Sequence, residues 1–226
     1  MDLKTYLSGN PYPGRGIVLG KADGKAVIAY FIMGRSENSR NRVFVEETDG
    51  VRTKAFDESK MQDPSLIIYY PYRRVGDTHI ITNGDQTDTI YTHLKEGKTM
   101  TEALRTRTYE PDGPNFTPRI SGIIEGDRAI LSILKKDGEG TNRNFFEYDL
   151  QEGQCRIIHT YQANEEPLPS FFGEPRLFPL SGTIDEITEE IWTNLNAENK
   201  VSLLVKTIGE DGTVETRIMN KNGGIV

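Results

Sequence analysis

Turn-forming pairs recur along this chain between runs of β-forming residues, and that punctuation leaves few ways for it to fold. Asp23-Gly24 divides residues 18–33 into two apolar runs, and similar pairs follow at Asp49-Gly50, Gly126-Asp127, Glu152-Gly153 and Asp211-Gly212. Such dipeptides accept the positive φ angles of tight hairpin turns. The flanking runs, among them 42–45, 120–124, 129–134 and 201–208, are rich in Val, Ile, Phe or Tyr. The chain therefore reads as mostly antiparallel sheet built from hairpins.

Two places carry helical spacing instead. After a strand over 79–82 and the polar stretch 83–88, Ile90, Tyr91 and Leu94 fall on one face, and Thr99-x-x-Glu102 restarts a helix as a capping box. A second capping box, Thr183-x-x-Glu186, opens an apolar stripe of Ile184, Ile187, Ile191, Trp192 and Leu195. Trp192 is read as packing. Sheets flanked by few amphipathic helices predict an α+β layered fold. Residues 162–179 are rich in Pro, Gly and Glu but also hold Phe171, Phe172, Leu177 and Phe178. They read as a long loop packed on the body, so residues 1–226 are taken as one domain.

Several function classes drop out on composition. A net charge of −7 leaves no basic face for a general nucleic-acid binder. The longest apolar run, residues 26–33, is too short to span a bilayer, and no signal peptide is expected. Cys155 is the one cysteine, which excludes an internal disulfide and fits a reducing cytoplasm. His79, His93 and His159 share no ligand spacing, so no metal site is expected.

Four stretches have compositions that structure alone does not require. Residues 34–42, Gly-Arg-Ser-Glu-Asn-Ser-Arg-Asn-Arg, set three arginines against Glu37 directly behind that apolar run. Guanidinium groups hold phosphate bidentately, and asparagine both donates and accepts; a solvated basic loop is the plainer alternative. Residues 69–74, Tyr-Tyr-Pro-Tyr-Arg-Arg, alternate aromatic faces with cations, or else form an edge strand broken by Pro71. Asn83-Gly84-Asp85 is a strand-to-helix turn whose amides can face an anion, unless Asp85 and Asp88 simply cap the helix. Residues 109–122 run from a polar loop with Glu110, Asp112 and Asn115 into Thr117-Pro118-Arg119 and an apolar strand.

Thr-Pro-Arg-Ile-Ser-Gly at 117–122, Asn83-Gly84 with Thr87-Asp88, the Arg-Ser…Asn-Arg loop at 35–42 and the early stretch 20–30 occur in one order. Together, across about residues 14–135, they resemble the archaeal-type IMP cyclohydrolase family. The resemblance implies an αββα sandwich similar to the N-terminal-nucleophile (Ntn) hydrolases. Their self-processing is not expected, because position 2 is Asp2. It also implies closure of the last purine ring, 5-formamidoimidazole-4-carboxamide ribotide to IMP and water, without folate or metal. No cofactor is expected, and the partner is a small purine ribonucleotide. The oligomeric state, a homo-oligomer included, is left open.

On that reading Glu110 moves protons, Arg35, Asn83 or a backbone N–H stabilises charge on the formyl oxygen, and a tyrosine of the 69–72 cluster, Tyr70 by choice, assists the chemistry or stacks on the ring. Ser36, Asn38, Arg40, Asn41, Arg42, Tyr69, Tyr72, Asn83, Gly84, Asp88, Asn115, Thr117, Pro118 and Arg119 are the expected substrate contacts. The loop is longer than the family's Arg-Ser-x-x-Pro-Asn-Arg, so Arg40, Arg42 and Arg119 all stay open for the phosphate. Tyr69, Tyr70 and Tyr72 compete for what the family does with one tyrosine. The alternative is a catalytically idle nucleotide-binding protein of the same fold.

Overall fold

The computed structural model describes residues 1–61, 64 and 66–225. In chain order the elements are α1 (Leu3–Ser8), β1 (Arg15–Ala22), β2 (Lys25–Met33), α2 (Glu37–Arg40), β3 (Arg42–Glu47), β4 (Gly50–Ala55), β5 (Tyr72–Val75), β6 (Thr78–Thr82), α3 (Gln86–Lys95) and α4 (Met100–Arg105). Then follow β7 (Arg119–Glu125), β8 (Arg128–Asp137), β9 (Gly140–Asp149), β10 (Gln154–His159), β11 (Arg176–Pro179), α5 (Ile184–Asn194), β12 (Lys200–Ile208), β13 (Val214–Asn220) and β14 (Gly224–Ile225).

Two antiparallel sheets form. One has the order β11-β10-β1-β2-β12-β13-β14, and the other runs β3 to β9 in sequence order. Period-two alternation divides each strand between layers. In β2, Ala26, Ile28, Tyr30 and Ile32 face the second sheet, while Val27, Ala29, Phe31 and Met33 face the outer helices. That double burial explains why 26–33 is continuously apolar. Leu3 and Leu7 of α1 and the Ile184, Ile187 and Ile191 stripe of α5 cover the first sheet. Trp192 packs there at the margin. Ile90 of α3 and Met100, Ala103 and Leu104 of α4 cover Ile80, Ile123, Ile130 and Leu134 of the second.

Both expected capping boxes form, at Thr99/Glu102 and Thr183/Glu186. The Asp23-Gly24 turn takes positive φ at both residues (52° and 69°), as a tight hairpin demands. Hairpins also form at 126–127 and 209–213, and the one near Asp49 turns on Thr48 and Asp49, with Gly50 already paired to Glu47. Three expectations need correcting. Glu152-Gly153 is no hairpin; it carries the chain from β9 in one sheet to β10 in the other. Residues 72–75 are not an edge strand but lie between β4 and β6, because Pro71 precedes the first paired residue and its missing N–H costs nothing there. The 162–179 segment is partly strand: β11 pairs with β10, Phe171 and Phe178 are buried, and Phe172 and Leu177 are exposed.

Candidate active site

At one end of the sandwich β1 and β3 begin, β2 and β6 end, and β7 begins. Inward-facing positions at that end bring polar side chains together. Arg15 opens β1, Arg42 opens β3, and Tyr30 lies near the end of β2. Tyr69 joins them because Thr53 of β4 grips its backbone: the Tyr69 N–H donates to Thr53 Oγ1 at 2.9 Å, and the Tyr69 carbonyl accepts the Thr53 N–H. Tyr30 and Tyr69, both buried, meet hydroxyl to hydroxyl at 2.8 Å. Gly14, at φ 79°, lets the chain enter β1 beneath Tyr161; a Cβ there would sit 2.2 Å from Thr160 Oγ1 and 2.5 Å from the Tyr161 ring.

Glu110 arrives on the loop between α4 and β7 and is 2% exposed. Burial lifts its carboxyl to about 7 against the pull of Arg15, Arg119 and Arg42, with Asp112 pushing the same way as burial. Burial works against the Arg15 charge, yet Glu110 and the phenols of Tyr161, Tyr12 and Tyr69 carry its pKa above the ordinary arginine value. Arg42 goes the other way: burial, then the Arg15 charge, lowers it. Its Nε donates to the Ser39 carbonyl at 2.9 Å. Its Nη1 and Nη2 are buried without a partner, as are Arg15 Nε and Arg119 Nε. Buried donors are normally satisfied, and an unpaired one costs about 1–3 kcal/mol, more when charged. The guanidiniums of Arg42 and Arg15 thus keep buried donors that no acceptor among the described residues takes up, beside the Glu110 carboxyl.

Arg119 Nη1 donates to Asp85 Oδ1 at 2.7 Å and to Gln86 Oε1 at 2.8 Å. Asp85, expected as a cap, makes no capping bond and instead takes Arg119 and Arg107. Gly84 leaves room for this: a Cβ there would fall 2.7 Å from Arg119 Nη1, 2.6 Å from Gln86 Oε1 and 3.4 Å from Glu110 Oε1. The Asn83 side chain is consumed by scaffolding, donating to the Pro118 carbonyl and accepting from Ile120 N–H and Gln86 Nε2. Thr117 binds Asp112 and Tyr161, and Asn115 accepts the Leu168 N–H.

The other expected residues lie at the margin or elsewhere. Arg35 stands 5.0 Å over the Tyr12 ring and donates to Asn164 Oδ1 at 3.1 Å and Glu166 Oε2 at 3.2 Å. Ser36 caps α2, Asn38 is half-buried, and Asn41 is spent on the backbone of Asp57. Arg40 donates to the Gly34 carbonyl and Asn199. Of the three loop arginines, then, Arg42 is the one that brings unpartnered buried donors to the cluster among the described residues. Tyr70 points away, donating to Glu47 at 2.9 Å between Arg52 and Arg73. Tyr72 bonds His79 Nδ1 at 2.7 Å beside Lys206, and Asp88 pairs with Arg73. None of these three joins Glu110.

Arg15, Tyr12, Tyr30 and Tyr161 escaped the sequence reading. The one signal for Arg15 was a charge at the head of an apolar strand, between Gly14 and Gly16. Among the described residues, two open clefts lie away from this site. One of about 350 Å³ lies against Leu19, Leu131, Tyr148 and Arg156, and one of about 470 Å³ against Arg74, His79 and the turns at Gly24, Gly126 and Gly212. Neither includes Glu110. Among the described residues, no group of three or more His, Cys, Asp or Glu is placed to hold a metal, and no helix is long and apolar enough to cross a membrane.

The chain is similar to known proteins over most of its length. A family described as IMP cyclohydrolase-like protein matches residues 12–212, well past the motifs that end near 135. An IMP cyclohydrolase of Methanococcus maripaludis is 32% identical over 158 residues, covering 67% of this chain and 75% of the relative. That of Methanocella arvoryzae is 28% identical over 155 residues, covering 67% and 74%. That of Methanopyrus kandleri is 36% identical over 151 residues, covering 57% and 72%.

Proposed function

Because the chain belongs to the IMP cyclohydrolase-like protein family, we propose that the enclosed arginine–glutamate cluster is where it closes the purine ring, turning 5-formamidoimidazole-4-carboxamide ribotide into IMP and water. The observation that carries this placement is Arg42, whose two terminal nitrogens are buried and unpartnered. A ribotide phosphate supplies the acceptors they lack, and Arg15 Nε adds a further donor.

Ring closure forms a bond from the carboxamide nitrogen to the formyl carbon. One carboxamide proton leaves, and the formyl oxygen becomes a hydroxyl. That hydroxyl then departs as water while the former formamide nitrogen gives up its proton, leaving the C=N bond of IMP. Glu110, held near 7, takes the carboxamide proton and passes it to the formyl oxygen, then takes the formamide N–H proton and gives it to the departing hydroxyl. Both reacting groups sit on one imidazole, so holding them in register supplies much of the rate. Tyr69, whose phenol meets that of Tyr30 and faces Arg42 and Arg15, is the tyrosine of the site. Arg35, over Tyr12, steadies charge on the formyl oxygen at the margin.

The two-sheet layering with helices on both outer faces supports an Ntn-hydrolase-like αββα arrangement. The buried Cys155, its thiol pushed by burial to about 12, suits a reducing cytoplasm. IMP formation from the formylated ribotide, followed by ultraviolet absorbance with the purified protein, tests the activity; IMP binding without turnover would sink it. In the same assay Tyr69→Phe is expected to lower kcat by about 10²-fold. Tyr70→Phe, which breaks only a surface bond to Glu47, should stay within twofold of the wild type. The reverse ranking would move the chemistry to Tyr70.

A further inference from the structure

A second carboxyl stands in the loop that carries Glu110. The Glu110 N–H donates to the Thr117 carbonyl at 3.0 Å, and the Phe116 N–H donates to the Asp112 carbonyl at 3.1 Å. Inside that closed loop the Asp112 carboxylate accepts the Thr117 N–H on Oδ1 at 2.6 Å and the Thr117 hydroxyl on Oδ2. The Thr117 hydroxyl has one proton, committed to Asp112, so the Tyr161 hydroxyl 2.5 Å away donates to it. Tyr161 in turn stacks on Tyr12 with ring centroids 5.9 Å apart, and Arg35 lies over Tyr12.

Asp112 is therefore one end of a bridge. It crosses from the loop of the second sheet to the chain around β1, which brings Arg15. Among the described residues no cation pairs with Asp112; both of its oxygens go to Thr117. The charges facing Glu110 come from four elements: Arg15 of β1, Arg119 of β7, Arg42 of β3 and Asp112 of its own loop, with the Tyr69 phenol beside them. Asp112 opposes ionisation of Glu110, where the three arginines favour it.

We infer that Asp112 is a positioning residue for ring closure: by fastening Thr117, whose carbonyl takes the Glu110 N–H, it holds the Glu110 loop shut. This inference rests on Glu110 moving the protons. The two ideas separate in the laboratory. Should Glu110→Gln keep its turnover, the role of Glu110 falls, whatever Asp112 does.

For Asp112 the measurement is the pH dependence of kcat/KM, together with a ¹³C titration of the Glu110 carboxyl by NMR, in wild type and Asp112→Asn. Removing a like charge makes Glu110 give up its proton more readily. Both midpoints should therefore move to lower pH, by on the order of one unit, with kcat down about tenfold or more. Midpoints that stay in place in a folded Asp112→Asn protein overturn the inference, even if activity falls. Should Asp112→Asn not fold, Thr117→Val decides. It is expected to lower kcat with KM little changed, and Thr117→Ser to restore it. Full activity in Thr117→Val, or no rescue by Ser, counts against the bridge.

Discussion

Glu110→Gln is expected to lower kcat by about 10²–10⁴-fold, the range general acid–base catalysis supplies, while leaving IMP binding within a few-fold of the wild type. Glutamine keeps the size of the side chain and its hydrogen-bonding oxygen but moves no proton. The same substitution should change how stability depends on pH. Burial raises the Glu110 carboxyl from 4.5 to about 7 in the folded protein. A carboxyl raised on folding favours the folded state while protonated. As pH climbs from 4.5 to 7 the unfolded chain releases its proton first, so stability falls, by about 3 kcal/mol in all. The Gln variant has no such loss. Urea unfolding at pH 5 and pH 8 measures it: the wild type should weaken between the two more than Glu110→Gln does. Equal losses would mean that Glu110 ionises as an ordinary glutamate.

Arg42→Met should weaken IMP binding by about 10²–10³-fold, because charge-assisted hydrogen bonds contribute about 1.5–3 kcal/mol each. Its effect on the free protein should be small or favourable. Arg42 is 1% exposed, its charge is disfavoured by burial and by Arg15, and its one bond is from Nε to Ser39. Replacing an uncompensated buried charge by an apolar chain of similar length is often neutral or stabilising. Calorimetric titration with IMP and a thermal melt distinguish the cases. A large fall in Tm with IMP binding retained would make Arg42 structural. Arg40→Met serves as the control, since Arg40 donates to Gly34 and Asn199, away from the cluster.

What could be read from the sequence was what is local. The Asp23-Gly24 hairpin and both capping boxes are set by residues within a few positions of one another, so their chemistry is visible in a short window. Glu152-Gly153 looks like the other turn pairs, yet the strand after it joins the opposite sheet, a choice made by packing. Asp85 shows the same limit. As a cap it would be local, but Arg119, 34 residues on, competes for it and wins. Within the site, Glu110, Arg42 and Arg119 stood out because their stretches were polar beyond need. Arg15 did not, being one charge at the head of an apolar strand. Tyr69, Tyr70 and Tyr72 could not be ranked by composition, because which of them turns inward depends on Thr53 catching the backbone of Tyr69.

The passage of the chain between sheets at Glu152-Gly153 also bears on the order in which the protein is made. β3 through β9 lie side by side in sequence order, so each strand of that sheet pairs with one already synthesised or next in line. The other sheet needs β1 to find β10 and β2 to find β12, across well over a hundred residues, and such distant pairings are slow to form. A chain elongated as far as Asp149 holds the Glu110 loop but lacks Tyr161 and β10, the neighbour of β1 on the side away from β2. The proposed site thus has two birthplaces, and it becomes whole only when the ends of the chain close around a middle that came before.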